Sequence, residues 1–172
     1  MKYTLQMINQ VELFSHKEEK SSSLEDRKLN DQQKSLWLYS KMHPHSDAMN
    51  IANLFEINSC ITGTDIKKNL QDWIKRYPIL NCRIKEFTQQ LFWQPDQSDI
   101  DIIIYPRASK AVAIGRMKNI LLEPISIEGK LSKCVLHEID NGWLIGFSIH
   151  HAVIDGIHFS SMIETFRDNF HP

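Results

Sequence analysis

From Leu29 onward, apolar residues recur with two periods, and the switches between them mark out the elements. Asn30 or Asp31 can cap a helix that carries Leu36, Trp37, Leu38 and Tyr39. After the loop H-P-H-S-D, the stretch M-N-I-A-N-L-F-E-I predicts a strand. Ile66, Leu70, Trp73, Ile74 and Tyr77 then return at helical spacing behind Thr64 and Asp65, and Pro78 disfavours helix at the residue before it. That helix is the best defined, and its apolar face requires a sheet to cover it. Leu80, Cys82 and Ile84 alternate with Asn81, Arg83 and Lys85, the pattern of a half-buried strand. D-I-D-I-I-I-Y predicts a strand near 100–105, and a helix over 109–122 stops ahead of Pro124. S-K-C-V-L-H-E-I and W-L-I-G-F-S-I-H-H flank D-N-G, a strong short-range hairpin signal. A last helix follows A-V-I-D-G, with Phe159, Met162, Ile163, Phe166 and Phe170 as its apolar stripe. The order predicts an α/β (α+β) chain, a two-layer sandwich with helices on one mostly antiparallel mixed sheet.

Composition narrows the function classes. A chain of 172 residues with 42% hydrophobic residues is of the size that forms one domain with a real core. Twenty Lys and Arg against 21 Asp and Glu leave the charge nearly balanced, and no basic stretch carries interleaved aromatics, so nucleic acid is excluded as an expected partner. Cys60, Cys82 and Cys134 are far apart and odd in number, which suggests neither a metal knuckle nor a disulfide framework but reduced, buried thiols. The first fourteen residues break their apolar positions with Gln, Asn and Glu and so lack the continuous core of a signal peptide, and no run approaches the roughly 18 apolar residues of a membrane span. A soluble, cytoplasmic protein without a membrane partner is expected. Ser15 to Lys28 is polar, charged and Ser-rich, so residues 1–28 are read as a flexible lead-in and 29–172 as the globular unit.

The chemistry concentrates in S-I-H-H-A-V-I-D-G, Ser148 to Gly156. If Trp143 to His151 is one strand, Trp143, Ile145, Phe147, Ile149 and His151 share a face, while Leu144, Gly146, Ser148 and His150 share the other. The two histidines then point apart, which opposes their binding one metal ion, and no third ligand is suitably placed. One of them can be locked into internal hydrogen bonds while the other faces a cleft. A buried Asp155 would organise the turn through an ion pair or backbone hydrogen bonds, because an unpaired buried carboxylate costs several kcal/mol. Gly156 is read as the residue that a tight turn needs where a side chain would crowd it. Taken alone, a histidine at a strand end is more often structural than catalytic.

These residues resemble a family. H-H-A-V-I-D-G is similar to the HHxxxDG signature of the condensation domains of nonribosomal peptide synthetases and of the wider chloramphenicol acetyltransferase-like superfamily. Further landmarks come in the same order. L-N-D-Q-Q-K-S-L-W-L-Y resembles the opening helix of condensation domains, and H-P-H-S-D-A-M-N-I the loop and strand after it. W-I-K-R-Y-P-I-L-N-C-R-I resembles the family's junction of arginine, aromatic, proline and leucine, and L-E-P-I-S-I-E-G-K-L-S-K the segment written P-F-D-L-x-x-G-P-L-x-R. The resemblance covers about Leu29 to Pro172.

It implies an N-terminal, chloramphenicol acetyltransferase-like half in which His151 serves as general base or positions the nucleophile, with His150 and Asp155 structural. Gly156 would keep the turn open, with its N–H near the developing oxyanion. The acyl group would arrive as a thioester on phosphopantetheine, borne by a carrier protein or by coenzyme A, as substrate rather than as a bound cofactor. No metal is implied. Two departures stand out. Where many relatives place the arginine that pairs with the signature Asp, this chain has Asn81, so Arg83, two residues on and on the same face, is the expected replacement partner of Asp155. The usual G-P-L is G-K-L at Gly129 to Leu131. Family members also consist of two such halves, whereas this chain carries one. It is thus expected to be an excised half, to associate with a second half, or to form a homo-oligomer, since I-H-F after D-G resembles the acetyltransferase version of the signature. A non-catalytic assembly or binding module is the competing function class, and a homo-oligomeric coenzyme A-dependent O-acyltransferase is a further alternative.

Overall fold

The computed structural model describes residues 27–57, 61–96, 98 and 100–168. Of the expected lead-in, residues 1–26 lie outside the described residues, as do Cys60 and Phe170. Lys28 forms a bridge to Phe92, and the N–H of Leu29 donates to Leu91 O at 2.9 Å, so the end of the expected lead-in is tied to the 91–92 segment.

Among the described residues, four α-helices, one 3-10 turn and six strands follow one another. Helix α1 spans Asp31–Met42, β1 Asn50–Ile57 and α2 Gly63–Ile74. A 3-10 turn over Pro78–Asn81 leads into β2 (Cys82–Phe87), which turns back as β3 (Gln90–Pro95). Then come β4 (Asp101–Tyr105), α3 (Lys110–Leu122), β5 (Ser132–Ile139), β6 (Gly142–His150) and α4 (Gly156–Asp168). Asn30 caps α1 in a full capping box: its side chain accepts from Gln33 N–H, while Gln33 Oε1 accepts from Asn30 N–H at 3.0 Å. Helix α2 starts earlier than its apolar stripe suggests, because Thr62 rather than Thr64 is its cap.

The main sheet is four-stranded and mixed, in the order β1-β6-β5-β4, with only β4 and β5 parallel. A parallel pair needs a crossover, and α3 supplies it between β4 and β5. The architecture is the expected one, helices on a mostly antiparallel mixed sheet, and α3 covers the face opposite α2 and α4. Trp143, Ile145, Phe147 and Ile149 of β6 face a cluster with α2 and α4, whereas Leu144 of β6 and Val135 of β5 face Ala113, Met117 and Leu121 of α3. Gly146 permits the approach of α3, since a Cβ there would lie 2.6 Å from the Leu121 side chain. Trp73, Phe147, Phe159 and Phe166 form the aromatic centre of the larger cluster, with ring centroids 5.0 to 6.4 Å apart.

The hairpin signal at D-N-G is met by the β5–β6 pair, closed where Ile139 faces Gly142 at φ 147°. The hairpin β2–β3 is a separate two-stranded sheet, and sequence alone does not reveal β3. Its turn residues, Thr88 and Gln89, take φ of 48° and 62°, a conformation usually marked by Asn or Gly. Among the described residues, no helix is long and apolar enough to cross a membrane.

Candidate functional site

β6 is one of the two inner strands, buried along nearly its whole length, and its end delivers the two histidines to one corner of the sheet. The strand stops at His150, so His151 lies in the turn and does not extend the alternation to a ninth side chain. Three backbone bonds fix that corner: His150 N–H to Leu131 O at 2.8 Å, His151 N–H to Met49 O at 2.8 Å and Val153 N–H to His150 O at 2.9 Å. Ala152, Val153 and Ile154 are buried, which anchors the loop through its apolar side chains.

His150 is 1% exposed and both of its ring nitrogens are bonded. Nδ1 accepts the Ala152 N–H at 3.1 Å and therefore carries no proton, so Nε2–H donates to Ser40 Oγ at 2.8 Å. Ser40 in turn donates to Leu36 O at 3.0 Å. This tautomer leaves no lone pair on the nitrogen that faces Ser40, so the pair is a structural link between β6 and α1 rather than a nucleophile and its base. Burial, with a smaller contribution from His151, pushes His150 down to about 4.

His151 is only half-buried. Its Nδ1 is enclosed without a partner, and among the described residues its Nε2 has no hydrogen bond either. Of the two imidazoles, one is bonded at both nitrogens, and the other has no hydrogen-bond partner among the described residues.

Asp155 caps α4. Its Oδ1 accepts the His158 N–H at 2.8 Å and lies 2.8 Å from His158 Nδ1. Burial would raise this carboxyl, but the bonds from His158 outweigh it and hold Asp155 below the usual range. Arg83 is not its partner, contrary to the expectation. The guanidinium is paired with Asp96, and Ser98 first and Arg83 second hold Asp96 down to about 2. The hairpin carries Arg83 toward Asp96, a placement that the shared face of Asn81 and Arg83 could not reveal. Asn81 binds the same region, its Nδ2 donating to Asp96 O at 3.1 Å and Ser98 O at 2.7 Å. Gly156 is likewise not required by crowding: a Cβ there would meet nothing within 4 Å. The space at that helix start is open.

Gln33 and Ser40 were not among the candidates from sequence. Both are buried, seven residues apart on the inner face of α1, and Gln33 Nε2 reaches Ala152 O at 3.3 Å. Two turns of helix bring them to the same face, a polar spacing that the sequence displays between partly buried Leu36 and Trp37. His43, at the end of α1, lines a cavity of about 210 Å³ with Ser40, Met49, Glu128 and His150. A larger concavity of about 1030 Å³ lies at the other end of β6, around Gly142 and Trp143. Among the described residues, no three His, Cys, Asp or Glu side chains converge to hold a metal ion.

The family model described as Condensation domain matches residues 24–171. The chain belongs to the condensation-domain family. Its fold agrees with that of the starter condensation domain of the rhizomide synthetase RzmA, at a TM-score of 0.73 and 18% identity, over 81% of this chain and 36% of that one. A form of that domain in complex with C8-CoA and Leu-SNAC is also similar, at a TM-score of 0.71 and 18% identity, over 81% of this chain and 34% of that one. A four-domain nonribosomal peptide synthetase bound to AMP and glycine matches at a TM-score of 0.67 and 21% identity, over 84% of this chain and 11% of that one. The condensation-type chain thus spans about a third of the length of the solved starter domains it resembles. Among curated proteins, none matches it.

Proposed function

We propose that this condensation-type chain is the histidine-bearing half of an acyltransferase, moving an acyl group from a thioester to an amine or hydroxyl. The observation that carries the reading is the contrast between the imidazoles: His150 is bonded at both nitrogens, and His151 at neither. A ring without internal partners is available to take a proton from an incoming N–H or O–H. As that bond breaks, the acceptor's lone pair attacks the thioester carbonyl, the C–S bond cleaves, and the thiolate leaves with the proton from the imidazolium. No covalent acyl-enzyme is required. The donor is a phosphopantetheine thioester on a carrier protein or on coenzyme A, and the C8-CoA complex of the RzmA domain supports a thioester of that kind. Open space at Gly156, at the start of α4, supports the approach of such a substrate. A second half, or a neighbouring subunit, closes the site over His151.

One observation favours the alternative of a non-catalytic assembly module. Asp155 is held by its helix neighbour His158, and Arg83 is engaged elsewhere, so the ion pair of many relatives is missing from the loop. Acyl transfer separates the two readings. The chain is assayed alone and with a complementing half, using an acyl thioester and an amine, wild type against His151→Ala. The expected result is activity in the completed assembly and a 10²- to 10⁴-fold loss on substitution, the usual range for a general base. Equal rates for wild type and variant would remove His151 from the chemistry.

A further inference from the structure

Strand β4 ends the main sheet. It pairs with β5 on one side, and on its other side no strand follows and no backbone bond to another strand forms among the described residues. Alternate residues therefore send N–H and C=O groups outward. Edges of this kind are normally blunted by charge or proline in the strand, yet here the centre is Ile102, Ile103 and Ile104, with Ile103 38% and Ile104 41% exposed. The three isoleucines make the strand apolar on both faces. Ile102 packs toward the α2 and α4 side and Tyr105 toward the α3 side, and Ile103 and Ile104 leave part of each face uncovered. A strand that adds to this edge must itself be apolar on both faces.

We infer that β4 is a homodimerisation edge, which takes β4 of a second copy in antiparallel pairing to form one continuous eight-stranded sheet. Self-pairing satisfies the requirement directly. With Ile103 laid against Ile103 of the copy, Ile102 faces Ile104 and Asp101 faces Tyr105. The charges select this direction. β4 begins at Asp101 and is followed by Arg107, so antiparallel copies set each acidic start beside the other's basic end, at the diagonal spacing that a long side chain spans. A parallel arrangement would set like beside like. Within the chain, Asp101 and Arg107, each more than 60% exposed, pair with the half-buried Lys130 and Glu138, so the outer member of each pair stays accessible to a second copy. Such a two-fold contact is isologous and closes on itself. Five residues of strand extend about 17 Å, which places the interface at the small end, below roughly 1,200 Å², and makes a weak, concentration-dependent dimer. Because β4 lies at the opposite edge of the sheet from β1, this inference does not depend on the role of His151.

Sedimentation velocity of the full chain over a wide range of concentration tests it. The dimer fraction should rise with concentration and vanish in Ile103→Lys, whose far-UV circular dichroism and thermal midpoint stay those of wild type. Phe87→Ser, which removes a more exposed apolar side chain from the tip of the β2–β3 hairpin, should leave the dimer intact. Asp101→Arg should weaken it, and adding Arg107→Asp should restore it. A monomer at every concentration overturns the inference. So does a dimer that survives Ile103→Lys, or one that the paired charge reversal fails to rescue.

Discussion

His150 ties the signature loop to the opening helix through a single tautomer, and that has a pH consequence. The group sits near 6.5 in the unfolded chain and is pushed down to about 4 in the fold by burial. Between those values the unfolded state binds a proton that the folded state does not, so stability is full above pH 6.5 and falls as the pH drops toward 4. A gap of about 2.5 units corresponds to about 3 kcal/mol. Asp155 and Asp96 act lower, since their carboxyls lie below the ordinary range and lose their contribution only as they protonate. Urea midpoints taken from neutral pH down to 4 should decline across the histidine window, with the His150 ring resonance still that of neutral imidazole at pH 5. A flat profile in that window would contradict the assignment.

At the scale of elements, α1 and the β2–β3 hairpin both depart from ordinary patterning. α1 buries Gln33 and Ser40 while exposing Leu38 and Met42, because its inner face meets the polar end of β6 rather than the aromatic core. Apolar periodicity alone therefore misassigns that face, and Trp37 is only half-buried, with Lys41 Nζ 5.5 Å from its ring centroid. In the hairpin, Thr88 and Gln89 hold positive φ with exposed side chains, a conformation that costs a residue with a Cβ roughly 1–2 kcal/mol. Replacing the pair by Asn-Gly should raise unfolding stability by about 1–2 kcal/mol in chemical denaturation. No gain, or a loss, would show that the turn is held by something other than its own dihedral preferences.

Helices cover most of both faces of the main sheet, and Cys82 and Cys134 report how tightly the packed layers hold. Cys82 and Cys134 are 1% and 0% exposed, and desolvation pushes Cys82 up to about 12 and Cys134 higher still. In a Cys60→Ser background, neither should react with a thiol reagent until the domain unfolds as a unit, so labelling should track the global unfolding rate. Fast labelling in native buffer would mean that one layer opens independently of the rest.

The sequence by itself determined the order of the elements apart from β3, the β5–β6 hairpin, the core stripes of α2 and α4, and the place of the histidine pair, because local period and turn chemistry act within a few residues. Only the tertiary structure decided that α3 covers a second face, that Ser40 and Gln33 reach across more than 100 residues to His150 and Ala152, and that Arg83 turns to Asp96 and leaves Asp155 to His158. Those pairings depend on where distant segments meet, and a side chain settles with whichever opposite charge or hydrogen-bond partner the packed chain brings within reach.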